Sequence, residues 1–246
     1  MSEECNEQES ESEGDPPEVC PVPTAHERFE EAHWHLHQML WNYHIPQPFR
    51  FSANAFLYAL KSVMDMLRLD LENTPHAAWR NQRITELKKE PIFRTFSQGR
   101  DIVMHRKPLI QSSRVERGLI KHGKVKLALE NDLKTDVPSS VLLRELIEIN
   151  SQRPIFVAPD HPFLGEQLGV RRTYYEHKLS DEHDVVTASH LALMTVADVL
   201  RDAHARFRLD FSLHGCNPEV HHDVSLVDVW AETDEDPEAV QRWGWD

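Results

Sequence analysis

The chain is short of the residues that mark several common protein classes. It has 3 cysteines in 246 residues, Cys5, Cys20 and Cys216. They stand in or beside the polar ends and show no CxxC spacing. That pattern predicts free thiols in a reducing cytoplasm rather than a disulfide framework or a zinc site. Glycine is also sparse, at 8 residues. None of them builds a P-loop, a GxGxxG or a GxSxG, and no kinase motif is present. No run approaches the roughly 18 apolar residues that a membrane span needs. The first residues are acidic and polar, unlike a signal peptide. The reading is therefore a cytoplasmic chain with no cofactor, no metal and no membrane partner. Internal repeats and heptads are lacking as well.

Basic residues are missing from both ends. Residues 1–23 hold eight acids and no base, and residues 217–246 hold nine acids and one base, Arg242. Each end carries −8 of the total −14, so residues 24–216 carry +2. The middle is uneven. From His76 to Lys126, thirteen Lys and Arg stand against four acids. A segment of that kind attracts phosphate, and it fits a solvated lysine-rich surface equally well. Residues 1–23 are rich in Glu, Ser and Pro. They hold too little apolar surface to offset ordering entropy, so they are expected to be a disordered acidic tail. The acidic tail 217–246 adds Val224, Leu226, Val227, Val229, Trp230, Trp243 and Trp245, which would let part of it dock on the body.

What remains is periodic, and with 40% hydrophobic content overall the chain has enough for one sizeable core, or one core plus a small appendage. Thr24, with Glu27 three residues on, opens a helix reaching about Tyr43, and Pro46 and Pro48 end it. A second helix follows Ser52 and reaches about Leu71. Its stripe is Phe56, Ala59/Leu60, Val63, Leu67 and Leu71. A third covers about Ala77–Lys89. The fourth runs from Pro91 to about Arg106 with Ile92, Phe96, Gly99 and Val103 inward. Around 109–136 a short β-hairpin is expected, turning at His122-Gly123-Lys124. Pro138–Asn150 reads as a short helix and 151–180 as a long loop. Asp181 to about Phe207 closes the body as a strong helix.

The order of these helices, and the run Gly99-Arg100-Asp101-Ile102-Val103-Met104-His105 at the end of the fourth, resembles the HEPN superfamily. The signature of that family is Arg, a polar residue, three residues, then His. The resemblance covers about 24–107, with Asp181–Phe207 as closing helix and about 108–180 as an insertion. It implies a mainly all-α fold, a HEPN-like four- to five-helix bundle within 24–216. It also implies a metal-independent endoribonuclease, in a toxin, defence or RNA-processing role, with Arg100, Asp101 and His105 as catalytic residues. In such a reaction His titrates near neutrality and Arg binds phosphate with several donors. Arg100 and His105 are five apart, about 140° round a helix, so one chain makes a poor pincer. The resemblance meets this with a homodimer whose two motifs face each other. RNA and an antitoxin-type protein are the partners it implies. The alternative is a non-catalytic nucleotide-, RNA- or protein-binding module.

The spacing alone discriminates poorly. Arg-x4-His also occurs at Arg28/His33, Arg117/His122 and Arg172/His177. Only Arg100 and Arg172 are followed by a polar residue, and Arg172 falls in the expected loop. Among other candidates, His33 and His37 have an i, i+4 spacing that can chelate zinc. With 16 His in the chain, a structural or surface role is the simpler account of them, and also of Asp160-His161 and His221-His222-Asp223. Trp34, Trp41 and Trp79 are read as core or dimer-interface residues.

Overall fold

A computed structural model describes residues 20–105, 113–121, 124–133, 136–153, 168–211 and 226–228. The expected acidic tails fall outside these residues, apart from 20–23 and 226–228. Six helices are present among the described residues, so the protein is mostly helical, and a small antiparallel sheet is set beside them. The helices are α1 (Pro23–Trp41), α2 (Pro46–Asp70), α3 (Ala77–Leu87), α4 (Pro91–His105), α5 (Ser139–Gln152) and α6 (Val185–Arg206). The strands are β1 (Ser113–Lys121), β2 (Lys124–Leu133), β3 (Leu168–Thr173) and the three-residue β4 (Leu226–Asp228), in the order β2-β1-β3-β4.

The stripes of α2 and α6 are buried as expected. Phe56, Ala59, Leu60, Val63, Leu67 and Leu71 are all buried, and so are Val185, Leu193, Val196, Ala197 and Leu200 on α6. With α1, α3 and α4 they form one core, in which Phe29, Leu36, Met39, Phe49 and Phe96 are among the large side chains sealed from solvent. Prolines play a different part from the one expected. Pro46 and Pro48 do not merely end α1; they lie in the first turn of α2. There the missing N–H costs nothing, because first-turn amides have no partner within the helix. Thr24 is not the cap of α1, which starts at Pro23. The last residue of α2 caps it instead. Asp70 accepts the Ala25 amide at 2.9 Å and the Thr24 hydroxyl, placing a carboxylate at the positive end of the helix.

The second core is small. Val115, Leu142, Leu143, Leu146, Ile147, Leu168 and Val170 pack α5 on one face of the sheet. The hairpin expected near 109–136 is present as β1 and β2, with an irregularity between Leu119 and Ile120. The loop expected at 151–180 is corrected: Leu168–Thr173 pairs antiparallel with β1 from Arg114↔Thr173 to Leu119↔Leu168. Gly118 is fixed by this sheet. A Cβ there would lie 2.0 Å from the Leu127 carbonyl oxygen, a backbone atom that cannot step aside, so only glycine fits.

Residues 172–174 join the two cores. Arg172 is fully buried. Its Nε donates to Ser139 Oγ at 3.0 Å, Nη1 to Ser113 Oγ at 3.2 Å and Nη2 to the Val137 carbonyl at 2.6 Å. One guanidinium thus ties β3 to β1 and to the start of α5. Tyr174 follows two residues on, its ring centre 6.0 Å from the Arg172 guanidinium, and it reaches into the helical core. It stacks on Phe49 at 3.8 Å and 12° and donates its hydroxyl to the Tyr43 carbonyl at 3.0 Å. Its own carbonyl accepts the Val185 amide that begins α6. The Ser139 amide donates to the His44 carbonyl, and Arg50 pairs with Asp136 at 2.5 Å.

Candidate functional site

The face expected to carry chemistry is formed by α2 and α4. Phe93, Phe96 and Gly99 turn inward from α4. Arg94, Gln98 and Asp101 therefore share its outer stripe at four- and three-residue steps. Asp101 is exposed and lies between two cations, with Lys61 Nζ at 2.7 Å and Arg100 Nη1 at 3.1 Å. The hydrogen bond from Lys61, followed by the one from Arg100, holds its carboxyl below the ordinary range. Arg100 also lies over the half-exposed ring of Tyr58, 4.8 Å from its centre, a cation–π arrangement. Arg100 and Asp101 are thus brought together, with Tyr58 and Lys61 added from α2. His105 closes α4, and its side chain lies outside the described residues.

The wider basic segment is partly neutralised. Arg83 pairs with Asp202 at 2.8 Å, Arg114 with Glu130 at 3.0 Å and Arg117 with Glu145 at 3.6 Å. Lys88, Lys89 and Arg94 are exposed and form no ion pair with another described residue. Of the remaining Arg-x4-His pairs, His122 of Arg117/His122 lies outside the described residues. Arg28 pairs with Glu31, and Arg172 is the buried pin of the sheet. The exposed His177 faces Asp181 at 3.2 Å.

Histidines behave in two ways. His33 and His37 approach Nε2 to Nε2 at 3.0 Å on α1, a direct hydrogen bond. His35 is held neutral more readily than usual by burial, which outweighs the nearby Glu31. A second cluster was not foreseen. Cys20, His26 and His204 bring Sγ, Nδ1 and Nε2 within 4.8 Å of one another. Residue spacing gave no signal for it, because His204 arrives from the far end of the chain on α6. Of the three tryptophans among the described residues, Trp79 packs on the core. Trp34 and Trp41 are 54% and 70% exposed, so neither is a core residue of this fold.

These features define a class only coarsely: a mostly helical protein with an appended antiparallel sheet and an exposed cation–aromatic face. A family model described as Bacteriophage lambda protein ea47 matches residues 13–225, and the chain belongs to that family. The expected HEPN identity is thereby corrected, since the matching family is a different one and no HEPN family is detected. The physical reason is plain: amphipathic helices ending in Arg, a polar residue and a nearby His are generic, and this chain has four Arg-x4-His spacings. The matched span takes in β1, β2 and β3 as well as all six helices. Comparison with curated proteins and with solved structures found no match.

Proposed function

We propose that the chain is a single-stranded RNA-binding module that uses the α2–α4 face. The observation that supports this reading is the Arg100 guanidinium poised over the exposed Tyr58 ring, with Lys61 beside it. An accessible aromatic face next to cations stacks a base and meets its phosphate. Arg94, two turns back on the α4 stripe, extends the positive track. The surface ion pairs are individually weak, so a phosphate can replace Asp101 as the partner of Lys61 and Arg100. The endoribonuclease reading rested on the family resemblance. Without it, the reading that rests on the described residues is binding, since Asp101 is engaged by Lys61 and Arg100.

Anisotropy titrations with a short single-stranded RNA at low salt decide between these readings. Tyr58→Ala and Arg100→Ala should each weaken binding about tenfold, the scale of losing one stacked base or one cation contact. Asp101→Asn should tighten it, because it removes the competing carboxylate. Affinity that ignores all three changes would sink the proposal. Cleavage in EDTA that disappears in His105→Ala and in Asp101→Asn would establish the enzyme instead.

The expected homodimer is proposed on a separate feature. Trp34 and Trp41 lie seven residues apart on one side of α1, and both are more exposed than an isolated large apolar side chain usually is. A two-fold contact through this stripe would bury both. Light scattering should give twice the chain mass for wild type and a single chain mass for Trp41→Glu. A monomeric wild type at high concentration excludes the dimer.

A further inference from the structure

We infer that Cys20, His26 and His204 hold a zinc ion that fastens the start of α1 to the end of α6. The case rests on where the protons must be. His204 is buried, and its Nδ1 lies 2.8 Å from the Leu200 carbonyl, which can only accept. The hydrogen of this imidazole is therefore on Nδ1, and the lone pair of Nε2 points at Cys20 Sγ, 3.4 Å away. His26 is arranged the other way round. Its Nε2 faces a Glu30 carboxylate oxygen at 3.5 Å, and its Nδ1 faces the same sulfur at 3.5 Å. A hydrogen on Nε2 serves the carboxylate and leaves a second lone pair aimed at Sγ. A thiol has one proton and can satisfy only one of these nitrogens. A dication bound by a thiolate satisfies both.

The two sulfur–nitrogen distances and the surroundings fit the same ion. Zn–S of about 2.3 Å and Zn–N of about 2.0–2.1 Å at a tetrahedral angle place sulfur and nitrogen roughly 3.5 Å apart. The two S···N separations here are 3.4 and 3.5 Å. Each imidazole has the outer partner that metal-bound histidines use to fix their tautomer, a backbone carbonyl for His204 and a carboxylate for His26. Phe211 covers both rings, with centroids 5.1 Å from His204 and 5.5 Å from His26. Thiolate and imidazole together select a borderline ion such as Zn²⁺ over Mg²⁺ or Ca²⁺. Among the described residues the cluster offers three donors, which leaves a fourth tetrahedral position for water or another ligand.

Cobalt substitution in the full-length protein, stripped with EDTA and then dialysed, tests this. One equivalent of Co²⁺ should give tetrahedral d–d bands and a thiolate-to-cobalt charge-transfer band, and one equivalent of Zn²⁺ should bleach both. Cys20→Ser should abolish the charge-transfer band. It should also weaken Zn²⁺ at least about 100-fold, since even the loss of an outer partner costs 10–100-fold. Glu30→Gln, which alters an exposed residue, should weaken it about tenfold. The double variant Cys5→Ser/Cys216→Ser and the single variant His33→Ala should keep the spectrum. Zinc should raise Tm in wild type and not in Cys20→Ser. The inference is overturned by the absence of a charge-transfer band, by a band that survives Cys20→Ser, or by binding lost in His33→Ala.

Discussion

Replacing Arg172 by alanine should cost about 3–5 kcal/mol in urea unfolding, the range for a buried truncation that also orphans polar groups. Three partners lose their donor together: the hydroxyls of Ser139 and Ser113 and the carbonyl of Val137. Ser139 and Ser113 are themselves buried, so water cannot readily replace the guanidinium. Arg172→Lys should recover little, because one ammonium cannot reach along three directions as a planar fork does. Arg172→Met restores volume without donors and so separates the two contributions. If Met is nearly neutral, packing rather than hydrogen bonding holds the sheet to α5. The site also predicts how the molecule fails. Arg172 belongs to the small core, so its loss should let sheet and α5 open before the helices. Near-UV and far-UV circular dichroism would then give transitions that no longer coincide. A loss below about 1 kcal/mol for Arg172→Ala, within the spread of ordinary surface changes, would show that the pin is dispensable.

Arg172 also explains what the sequence hid. The stripes of α2 and α6 were legible because large apolar residues recur at three- and four-residue steps and meet one continuous core. β3 reads Leu-Gly-Val-Arg-Arg-Thr, and all but Arg171 and Thr173 of it is buried. A strand whose inward position holds an arginine does not alternate in hydrophobicity, so period-two reasoning discards it. Its apolar surroundings come from α5, which no local window contains. Pro46 and Pro48 misled in the opposite direction: they mark a boundary, and their positions in the first turn show which side of it they belong to. At the candidate site, Arg100 and Asp101 were legible as a polar helix end. Tyr58 and Lys61 were not, because they reach the site from α2, some forty residues earlier. The Cys20 cluster was the least legible, since half its geometry depends on how α6 returns to α1.

Tyr174 should make the protein lose stability in alkali by a route that Tyr174→Phe lacks. Burial, partly offset by the neighbouring Arg172, raises its phenol from the ordinary value near 10 to about 12. The neutral form is the one that stacks on Phe49 and donates to Tyr43. Below pH 10 the folded and unfolded chains both hold the proton, and this contribution is fully present. Between pH 10 and 12 the unfolded chain releases the proton while the folded chain keeps it, so stability falls with rising pH. Two units of difference correspond to about 2.7 kcal/mol in full, of which about 2.3 kcal/mol is lost by pH 12. Near neutrality Tyr174→Phe should be the less stable protein by about 1 kcal/mol, the usual net worth of one hydrogen bond. Tyr174→Ala should cost about 3–5 kcal/mol, since it also empties the stack. As the pH climbs past 10 the order of wild type and Tyr174→Phe should reverse. The difference between those two proteins cancels the titration of lysines and other tyrosines common to both, and this makes it the quantity to measure. A wild type that keeps its lead over Tyr174→Phe at pH 12 would mean that the phenol ionises in the folded protein, and that the contact between the helical body and the sheet admits water at Tyr174.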